Sequence, residues 1–208
     1  MKITAQDLAH FDQTYRTHLV NSLAGFKSAN LIGTIDLQGA TNLAIVSSVF
    51  HLGANPPLMG MIMRPHRVPR HTLENIQQTK CYTINHVNAD IYQQAHHTSA
   101  RYPKSQSEFA AASLTPQFRG QMLAPYVEQS RLQIGMELVS TQTLAVNDTE
   151  LVIGKVIEIH VPESAIASDG FIDIAQLNSV AVSGLDSYHT TQSLGREPYA
   201  KPRPELST

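Results

Sequence analysis

Two groups of residues in the first half of the chain could bind a polar ligand. Ser47 and Ser48 interrupt an otherwise apolar run, and their hydroxyls could hydrogen-bond a polar molecule that lies against a sheet. Thr72 stands at a predicted helix start, where free backbone N–H groups and the helix dipole favour an anion. Basic residues adjoin this helix start, namely Arg64, His66, Arg67, Arg70 and His71. The same residues fit a capped helix with solvated arginines, so the pattern alone leaves both interpretations open.

The elements that must position these residues are three strands and a short helix. Small and β-branched residues predict a strand over Asn42–Phe50. Asn55-Pro56-Pro57 then breaks the chain, and a short apolar run predicts a buried strand over Leu58–Met63. Thr72 is the predicted N-cap of an amphipathic helix of about two turns. The chain returns to a strand over Cys81–Val87.

Periodicity and turn residues predict the other elements. The predicted helices span residues 4–22, 90–95 and 107–112, the predicted strands span 28–37, 132–146, 151–161, 171–174 and 180–182, and the predicted loops span 96–103 and 184–189. Thr4 is expected to cap the first helix, which is expected to pack on the strands. Gly135 and Gly154 predict bulges or close backbone approach. Several short strands with breakers between them indicate an all-β barrel with peripheral helices.

Composition excludes several classes of protein. With 208 residues, a single domain over residues 1–208 is the default. A formal net charge of −2 gives no basic field for nucleic acid. Cys81 is the one cysteine, so the chain can form no internal disulfide framework and carries no CxxC motif. No apolar run reaches about 18 residues and the N-terminus is too polar for a signal peptide, so we expect neither a membrane span nor export, and a cytoplasmic location.

Common catalytic motifs are also missing from the sequence. No G-x-G-x-x-G follows a strand, and no G-x-S-x-G elbow occurs. The adjacent His96 and His97 suggest a metal site, but no further ligand stands at a suitable spacing. A loop that borders the binding site is therefore the better interpretation of this pair, and the prediction is that the chain has no metal site and no side-chain acid/base pair.

The order of several short motifs resembles the flavin reductase-like, FMN-binding split-barrel family. The similar segments are Asn42-Leu43-Ala44 followed by Ser47, Asn55-Pro56-Pro57, Thr72-Leu73-Glu74-Asn75-Ile76, Ile84-Asn85, Glu108-Phe109 with Leu114-Thr115, Gly154-Lys155-Val156, and Leu194-Gly195-Arg196 with Tyr199. No single motif is specific, but their order and spacing together cover roughly residues 20 to 200. The resemblance implies a mainly β fold, an FMN-binding split β-barrel of Greek-key type with peripheral α-helices. The barrel would span about residues 28–183, with a loop and tail over 184–208.

The resemblance also implies a cofactor and a reaction. It implies a homodimer with one FMN per protomer near the interface. NAD(P)H would give a hydride to the flavin, which would pass electrons to a second flavin, to oxygen or to another acceptor. Because the flavin carries this chemistry, no catalytic acid/base pair is required of the protein. The alternatives are a non-enzymatic FMN-binding electron carrier and a split-barrel protein that binds pyridoxal phosphate, haem or another phosphorylated or planar ligand.

The resemblance assigns roles to particular residues. Asn42, Leu43 and Ala44 would lie along the isoalloxazine ring, largely through their backbone. Ser47 and Ser48 would contact ribityl or phosphate oxygens. The phosphate would be held by the helix start, with Arg64, Arg70, His71 and Thr72. From the late loop, Tyr188 and His189 would cover the ring or shape the substrate pocket, although Tyr188 could equally be a packing aromatic. His51 is a further candidate for cofactor binding.

Overall fold

A computed structural model of the protein describes residues 1–65 and 70–202. Its α-helices are α1 (Ala5–His10), α2 (Gln13–Ser22), α3 (His71–Thr79), α4 (Tyr92–His97) and α5 (Glu108–Ala111). Its strands are β1 (Lys27–Ser28), β2 (Asn30–Ile35), β3 (Thr41–Val46), β4 (Val49–Ala54), β5 (Pro57–Met63), β6 (Cys81–His86), β7 (Pro116–Gln117), β8 (Tyr126–Val127), β9 (Gln133–Leu144), β10 (Thr149–His160), β11 (Val180–Ser183) and β12 (Ser187–Thr190). A short 3₁₀ turn covers Glu163–Ala165. Two residues of the predicted basic run, His66 and Arg67, lie outside the described residues, as do residues 203–208 of the predicted loop and tail over 184–208.

The centre of the fold is a seven-stranded antiparallel sheet with the strand order β3-β2-β6-β9-β10-β5-β4. Its two edges come from one continuous segment, because β3 pairs with β2 whereas β4 pairs with β5. The chain passes from one edge to the other at Ser47 and Ser48, so the sheet curls into a barrel. In the described residues β3 and β4 do not pair with each other, and the barrel therefore stays split.

Alternate residues of each strand point to opposite faces, and this divides the core in two. On one face, Ile32 of β2 packs in a cluster with Ile84 of β6 and Ile76 of α3. On the other face, Leu31 of β2 packs with Ala95 of α4 and Phe109 of α5. Helix α3 thus lies on one side of β2 and β3, while α4 and α5 lie on the other.

The long hairpin predicted around Asn147-Asp148 is confirmed as β9 and β10. Other residues also approach closely to the backbone at Gly135 and Gly154, as predicted. A Cβ on Gly154 would lie 2.2 Å from the Tyr82 hydroxyl, and a Cβ on Gly135 would lie 2.5 Å from the Tyr126 hydroxyl. The ladder between β9 and β10 shifts register beside each of them, as a bulge requires.

The N-terminal segment departs from its prediction. A helix over residues 4–22 was expected to pack on the strands, and Thr4 does cap it through a capping box with Asp7. The segment instead forms two helices, α1 and α2, with a bend at residues 11–12. Neither helix buries a residue, so the expected packing on the barrel is wrong.

Four other boundaries differ from the prediction. The predicted strand over Asn42–Phe50 is two strands, β3 and β4, because the chain changes partner at the serines. The predicted loop at 96–103 begins inside α4, which includes His96 and His97. The predicted strand at 171–174 is a turn with a single bridge to Ile166, and the predicted loop at 184–189 contains β12, which pairs with β11. Short polar strands such as β12 depend on a partner strand and have no local sequence signal.

Candidate functional site

Strand β3 is an edge strand of the sheet, so one side of its backbone pairs with no other strand of the described chain. Glu108 lies on this open side. The Glu108 carboxylate accepts a hydrogen bond from the Leu43 N–H at 3.0 Å. Because alternate residues of an antiparallel strand direct their N–H and C=O groups to the same side, Ile45 presents its backbone to this open side as well. Burial raises the pKa of the Glu108 carboxyl, while the Leu43 N–H and the nearby His71 act in the opposite direction.

Side-chain hydrogen bonds fix helix α3 against β2 and β3. The Asn42 amide donates to the Thr72 hydroxyl at 2.9 Å, and the Asn75 amide donates to the Thr34 hydroxyl at 3.1 Å. All four side chains are buried, so these bonds set the position of the helix start relative to β3. Thr72 is the predicted N-cap, but the helix begins two residues earlier than this predicts, at His71, and Arg70 is its N-cap, without a side-chain cap bond. The Thr72 hydroxyl serves instead as the acceptor for Asn42.

Three arginines converge at the start of α3. Burial lowers the pKa of Arg70, and the positive charges of Arg64 and Arg101 lower it further. The Arg70 Nε is buried and has no hydrogen-bond partner within residues 1–65 and 70–202. No carboxylate in these ranges forms an ion pair with any of the three arginines. The Glu74 carboxylate accepts a hydrogen bond from the Arg70 N–H at 3.2 Å, so one negative charge already adjoins the helix start. The positive charges near Arg70 and the remaining free N–H groups still make this helix start an electrostatic site for an anion.

The two predicted serines differ in how their hydroxyls are used. Ser48 Oγ donates to the Ile62 carbonyl at 2.6 Å and accepts from the Ile62 N–H at 3.2 Å. The Ser48 hydroxyl therefore uses its single proton in a bond that joins the bend between β3 and β4 to β5. One lone pair of Oγ stays available to a ligand. Ser47 lies in the bend between β3 and β4 and is half-buried. Its hydroxyl makes no hydrogen bond within residues 1–65 and 70–202, so its proton is available to a ligand.

A second part of the candidate site lies between α4 and the β11–β12 hairpin. An open cleft of about 440 Å³ is lined by Tyr92, Gln93, His96, His97, Asp186 and Tyr188. The Tyr188 hydroxyl lies 3.0 Å from His96 Nδ1, and burial, followed by the charge of Asp186, raises the Tyr188 pKa. Tyr188 also packs against the apolar cluster that contains Ile45 and Leu43. The cleft therefore adjoins the strand that carries the open backbone.

The other predicted residues are placed as follows. His189 turns its Nε2 towards Ser183 at 2.8 Å, and its ring packs edge-on against Phe26 at 4.9 Å. His71 is the first residue of α3 and lines a small recess with Asn42, Asn75 and Glu108. His51 is exposed on β4, opposite Met59, and makes no hydrogen bond with the other candidate residues within the described ranges. The structure thus brings the β3, α3 and arginine positions together, and leaves His51 apart.

Sequence reasoning missed two residues of this site. Arg101 stands in an irregular stretch, where no periodicity shows that it will reach the start of α3. Glu108 appeared only as part of a family motif, although its carboxylate holds the β3 backbone. In the described ranges no group of three or more His, Cys, Asp or Glu side chains is arranged for a metal ion, and no helix is both long and apolar enough to cross a membrane.

Comparison with known proteins identifies related sequences and folds. The family described as Flavin reductase like domain matches residues 24–172. A protein of Shewanella frigidimarina with a split barrel domain, provisionally assigned as a flavin reductase, is 56% identical and superposes with a TM-score of 0.93 over 96% of this chain and 100% of its own. Nitrilotriacetate monooxygenase component B of Bacillus cereus is 18% identical, with a TM-score of 0.82 over 95% of this chain and 98% of its own. An FMN-binding protein of Thermus thermophilus is 17% identical, with a TM-score of 0.68 over 83% and 90% of the two chains. The last two show the fold alone, and the predicted split barrel is confirmed.

Proposed function

Because the chain belongs to the Flavin reductase like domain family, we propose that it is an FMN-dependent oxidoreductase that takes electrons from NAD(P)H. A flavin, oxygen or another acceptor would then receive them. The observation that carries the choice of FMN is the cluster of Arg64, Arg70 and Arg101 at the start of α3. A flavin with a terminal phosphate would satisfy this cluster, whereas riboflavin would leave it uncompensated.

The residues present fit the phosphate of FMN. The buried Arg70 Nε lacks an acceptor in the described residues, and a phosphate oxygen is a strong acceptor. Helix α3 has nine residues, so its first N–H groups and its dipole add a favourable partial charge. Ser47 has a hydroxyl proton to give in the adjacent bend. We assign the phosphate to Arg64, Arg70, Arg101 and the backbone at His71 and Thr72.

The open side of β3 fits the ring of the flavin. The edge of an isoalloxazine ring carries alternating hydrogen-bond donors and acceptors, and an unpaired strand edge offers backbone N–H and C=O groups at regular spacing. Ile45 supplies an N–H and a C=O and Leu43 supplies its C=O, because the Leu43 N–H already donates to Glu108. Asn42 and Ala44 face α3. Glu108 fixes the Leu43 amide, and the Asn42–Thr72 bond fixes the distance between ring and phosphate positions. This chain therefore binds and orients the cofactor chiefly through its backbone.

When bound, FMN supplies hydride acceptance and electron transfer, and the protein residues position the partners for it. The cleft between α4 and β12 is the place that we assign to the nicotinamide or to the final acceptor. Its two tyrosines, Tyr92 and Tyr188, offer flat apolar faces, and His96 fixes the Tyr188 ring through the hydroxyl.

We further propose that the protein is a homodimer, as the family resemblance implies. A cytoplasmic location stays a prediction.

The test is an absorbance spectrum of the purified protein before and after anaerobic addition of NADH or NADPH. Oxidised FMN should give bands at roughly 370 and 450 nm, which are a property of the cofactor. Bleaching by one nucleotide supports the oxidoreductase and identifies the donor. Flavin bands that neither nucleotide bleaches would reject the NAD(P)H reaction and favour an electron carrier. Failure to bind added FMN would reject the proposed cofactor.

A further inference from the structure

The cleft between α4 and the β11–β12 hairpin has a charge pattern that disfavours anions. The residues that line it include no lysine and no arginine, and Asp186 contributes a carboxylate. His96 is engaged with Tyr188 through Nδ1, and His97 is exposed to water. A phosphate or carboxylate ligand would meet the like charge of Asp186 with no arginine or lysine to compensate it, and like charges placed together are costly. The cleft is therefore suited to an uncharged ligand.

Two aromatic rings give the cleft flat apolar walls. The ring centroids of Tyr92 on α4 and Tyr188 on β12 lie 5.5 Å apart, with the ring planes at 49°. Tyr92 is exposed and Tyr188 is half-buried, so both rings keep surface that a ligand can contact. The volume of about 440 Å³ lies in the lower part of the range of small-molecule sites, roughly 300–1,000 Å³. A planar compound of one or two rings fits these walls.

The Tyr188 hydroxyl is a hydrogen-bond donor beside these walls. It lies 3.0 Å from His96 Nδ1, and the two rings are perpendicular, with centroids 5.7 Å apart. When Nδ1 carries the proton, His96 donates to the Tyr188 oxygen and the hydroxyl proton is free for another acceptor. Burial, followed by the charge of Asp186, raises the pKa of Tyr188, so the hydroxyl keeps this proton at neutral pH. The hydroxyl is thus matched to a ligand that carries an acceptor.

The other hydroxyl of the cleft is arranged differently. Tyr92 Oη accepts a hydrogen bond from Gln93 Nε2 at 3.3 Å, and both of these side chains are exposed. Tyr188, in contrast, is held by its strand, which pairs with β11, and its ring packs against the apolar cluster of Leu43 and Ile45. A donor that is held in place before binding costs less to order when the ligand arrives. Tyr188 is therefore the better-placed donor, and it stands between the cleft and β3.

We propose that this cleft binds a small, uncharged, planar compound with a conjugated carbonyl group, and that the Tyr188 hydroxyl donates a hydrogen bond to the carbonyl oxygen while His96 holds the hydroxyl. The hydrogen bond draws electron density towards the oxygen, which makes the conjugated system a better electron acceptor. The assignment of this compound as the final acceptor rests on the proposed function. Its binding in the cleft does not.

The test uses 4-(dimethylamino)acetophenone as the probe, because its absorbance moves to longer wavelength when its carbonyl accepts a hydrogen bond. Difference spectra of the purified protein are recorded during titration with this ketone, with and without added FMN. The anion 4-(dimethylamino)benzoate has the same ring and a carboxylate in place of the ketone. In the unchanged chain the ketone should bind with a shift to longer wavelength, and the benzoate should bind at least about 10-fold more weakly.

Four substitutions separate the contributions of the side chains. Tyr188→Phe keeps the ring and should abolish the shift while weakening ketone binding about 2- to 10-fold, the effect of one hydrogen bond between uncharged groups. His96→Leu should reduce the shift, and His96→Asn should restore most of it, because an amide can form a hydrogen bond near the position of Nδ1. Asp186→Asn should tighten benzoate binding and leave ketone binding within about threefold.

Tyr15→Phe is the matched control, because Tyr15 lies on α2, packs on Phe11 and does not line the cleft. It should leave the shift and both affinities unchanged. The predicted pattern, with the shift lost in Tyr188→Phe alone of the two tyrosine variants, supports the proposal. The proposal is overturned by the absence of a shift in both forms of the unchanged chain, by a shift that persists in Tyr188→Phe, or by equal binding of the benzoate and the ketone.

The spectra taken without FMN keep this proposal separate from the proposed function. Ketone binding that depends on Tyr188 in a protein that binds no FMN would support the carbonyl site and reject the cofactor. FMN that binds and is bleached by a nicotinamide nucleotide, in a protein that gives no ketone shift, would support the oxidoreductase and overturn the carbonyl site. A shift that His96→Leu leaves unchanged would overturn the role assigned to His96.

Discussion

Replacing Arg70 by glutamine tests the phosphate position most directly. The Arg70→Gln substitution removes one of three converging positive charges and the buried Nε at the start of α3. It keeps a polar side chain of similar length. The expected result is weaker binding of FMN with little effect on riboflavin, because riboflavin has the same ring and no phosphate.

The magnitude follows from the number of contacts removed. A hydrogen bond to a charged group contributes about 1.5–3 kcal/mol, so FMN affinity should fall about 10- to 150-fold. Stability of the protein without flavin should not fall in parallel. Burial and the charges of Arg64 and Arg101 lower the pKa of Arg70, so the charge of Arg70 does not stabilise the flavin-free fold.

The assay is a fluorescence titration of the flavin-free protein with FMN and, separately, with riboflavin. Arg131→Gln is the control, because Arg131 is a surface arginine paired with Asp90 and lies away from α3. Its replacement should change neither affinity. A thermal melt of each flavin-free protein shows whether stability has changed.

Two results would refute the assignment. Unchanged FMN affinity in Arg70→Gln would show that the phosphate lies elsewhere. Equal losses for FMN and riboflavin would show that the substitution disturbs the ring position or the fold, and that the arginine cluster does not recognise phosphate.

Three further predictions concern the framework of the site. Glu108→Ala should destabilise the protein by about 1–3 kcal/mol in urea unfolding, because the Leu43 N–H loses its acceptor, while Glu108→Gln should cost less; equal losses would contradict this role. Gly33→Ala should cost about 1–3 kcal/mol or more, since its Cβ would lie 2.2 Å from the Pro125 carbonyl oxygen, and a neutral effect on the urea midpoint would contradict the close approach. Burial lowers the pKa of His86 from 6.5 to about 4. The contribution of neutral His86 to the free energy of unfolding is therefore fully present above pH 6.5, and about 3 kcal/mol of it is lost as the pH falls to about 4. His86→Gln should flatten this part of the stability profile, and an unchanged profile would exclude His86 as its cause.

The strands around the site could be predicted because their signals are local. Alternation of residue types and the Asn147-Asp148 turn identify the β9–β10 hairpin, and the apolar run at Leu58–Met63 identifies β5. The start of α3 lies two residues before its predicted position, because helix boundaries depend on cap geometry that sequence does not fix. Thr72 keeps its place in the site through the Asn42 amide.

The residues whose roles could not be predicted from the sequence are those that reach the site only through tertiary contacts. Arg101 reaches α3 from an irregular stretch, and β12 becomes a strand only through its pairing with β11. The N-terminal segment shows a related limit. The periodic apolar residues Leu8, Phe11 and Tyr15 predict a helix that packs on the strands, but their spacing does not specify which surface would cover them, and neither α1 nor α2 buries a residue.

One continuous segment, residues 41–54, holds both edges of the curled sheet, and its first half offers the open backbone to a ligand. A ligand that binds there also restrains the residues that keep the barrel together. Ligand binding therefore raises the free energy of unfolding, by about 2.7 kcal/mol when the ligand concentration is 100 times its dissociation constant. If the ligand is the proposed cofactor, its concentration would set the resistance of the protein to proteolysis as well as its catalytic rate.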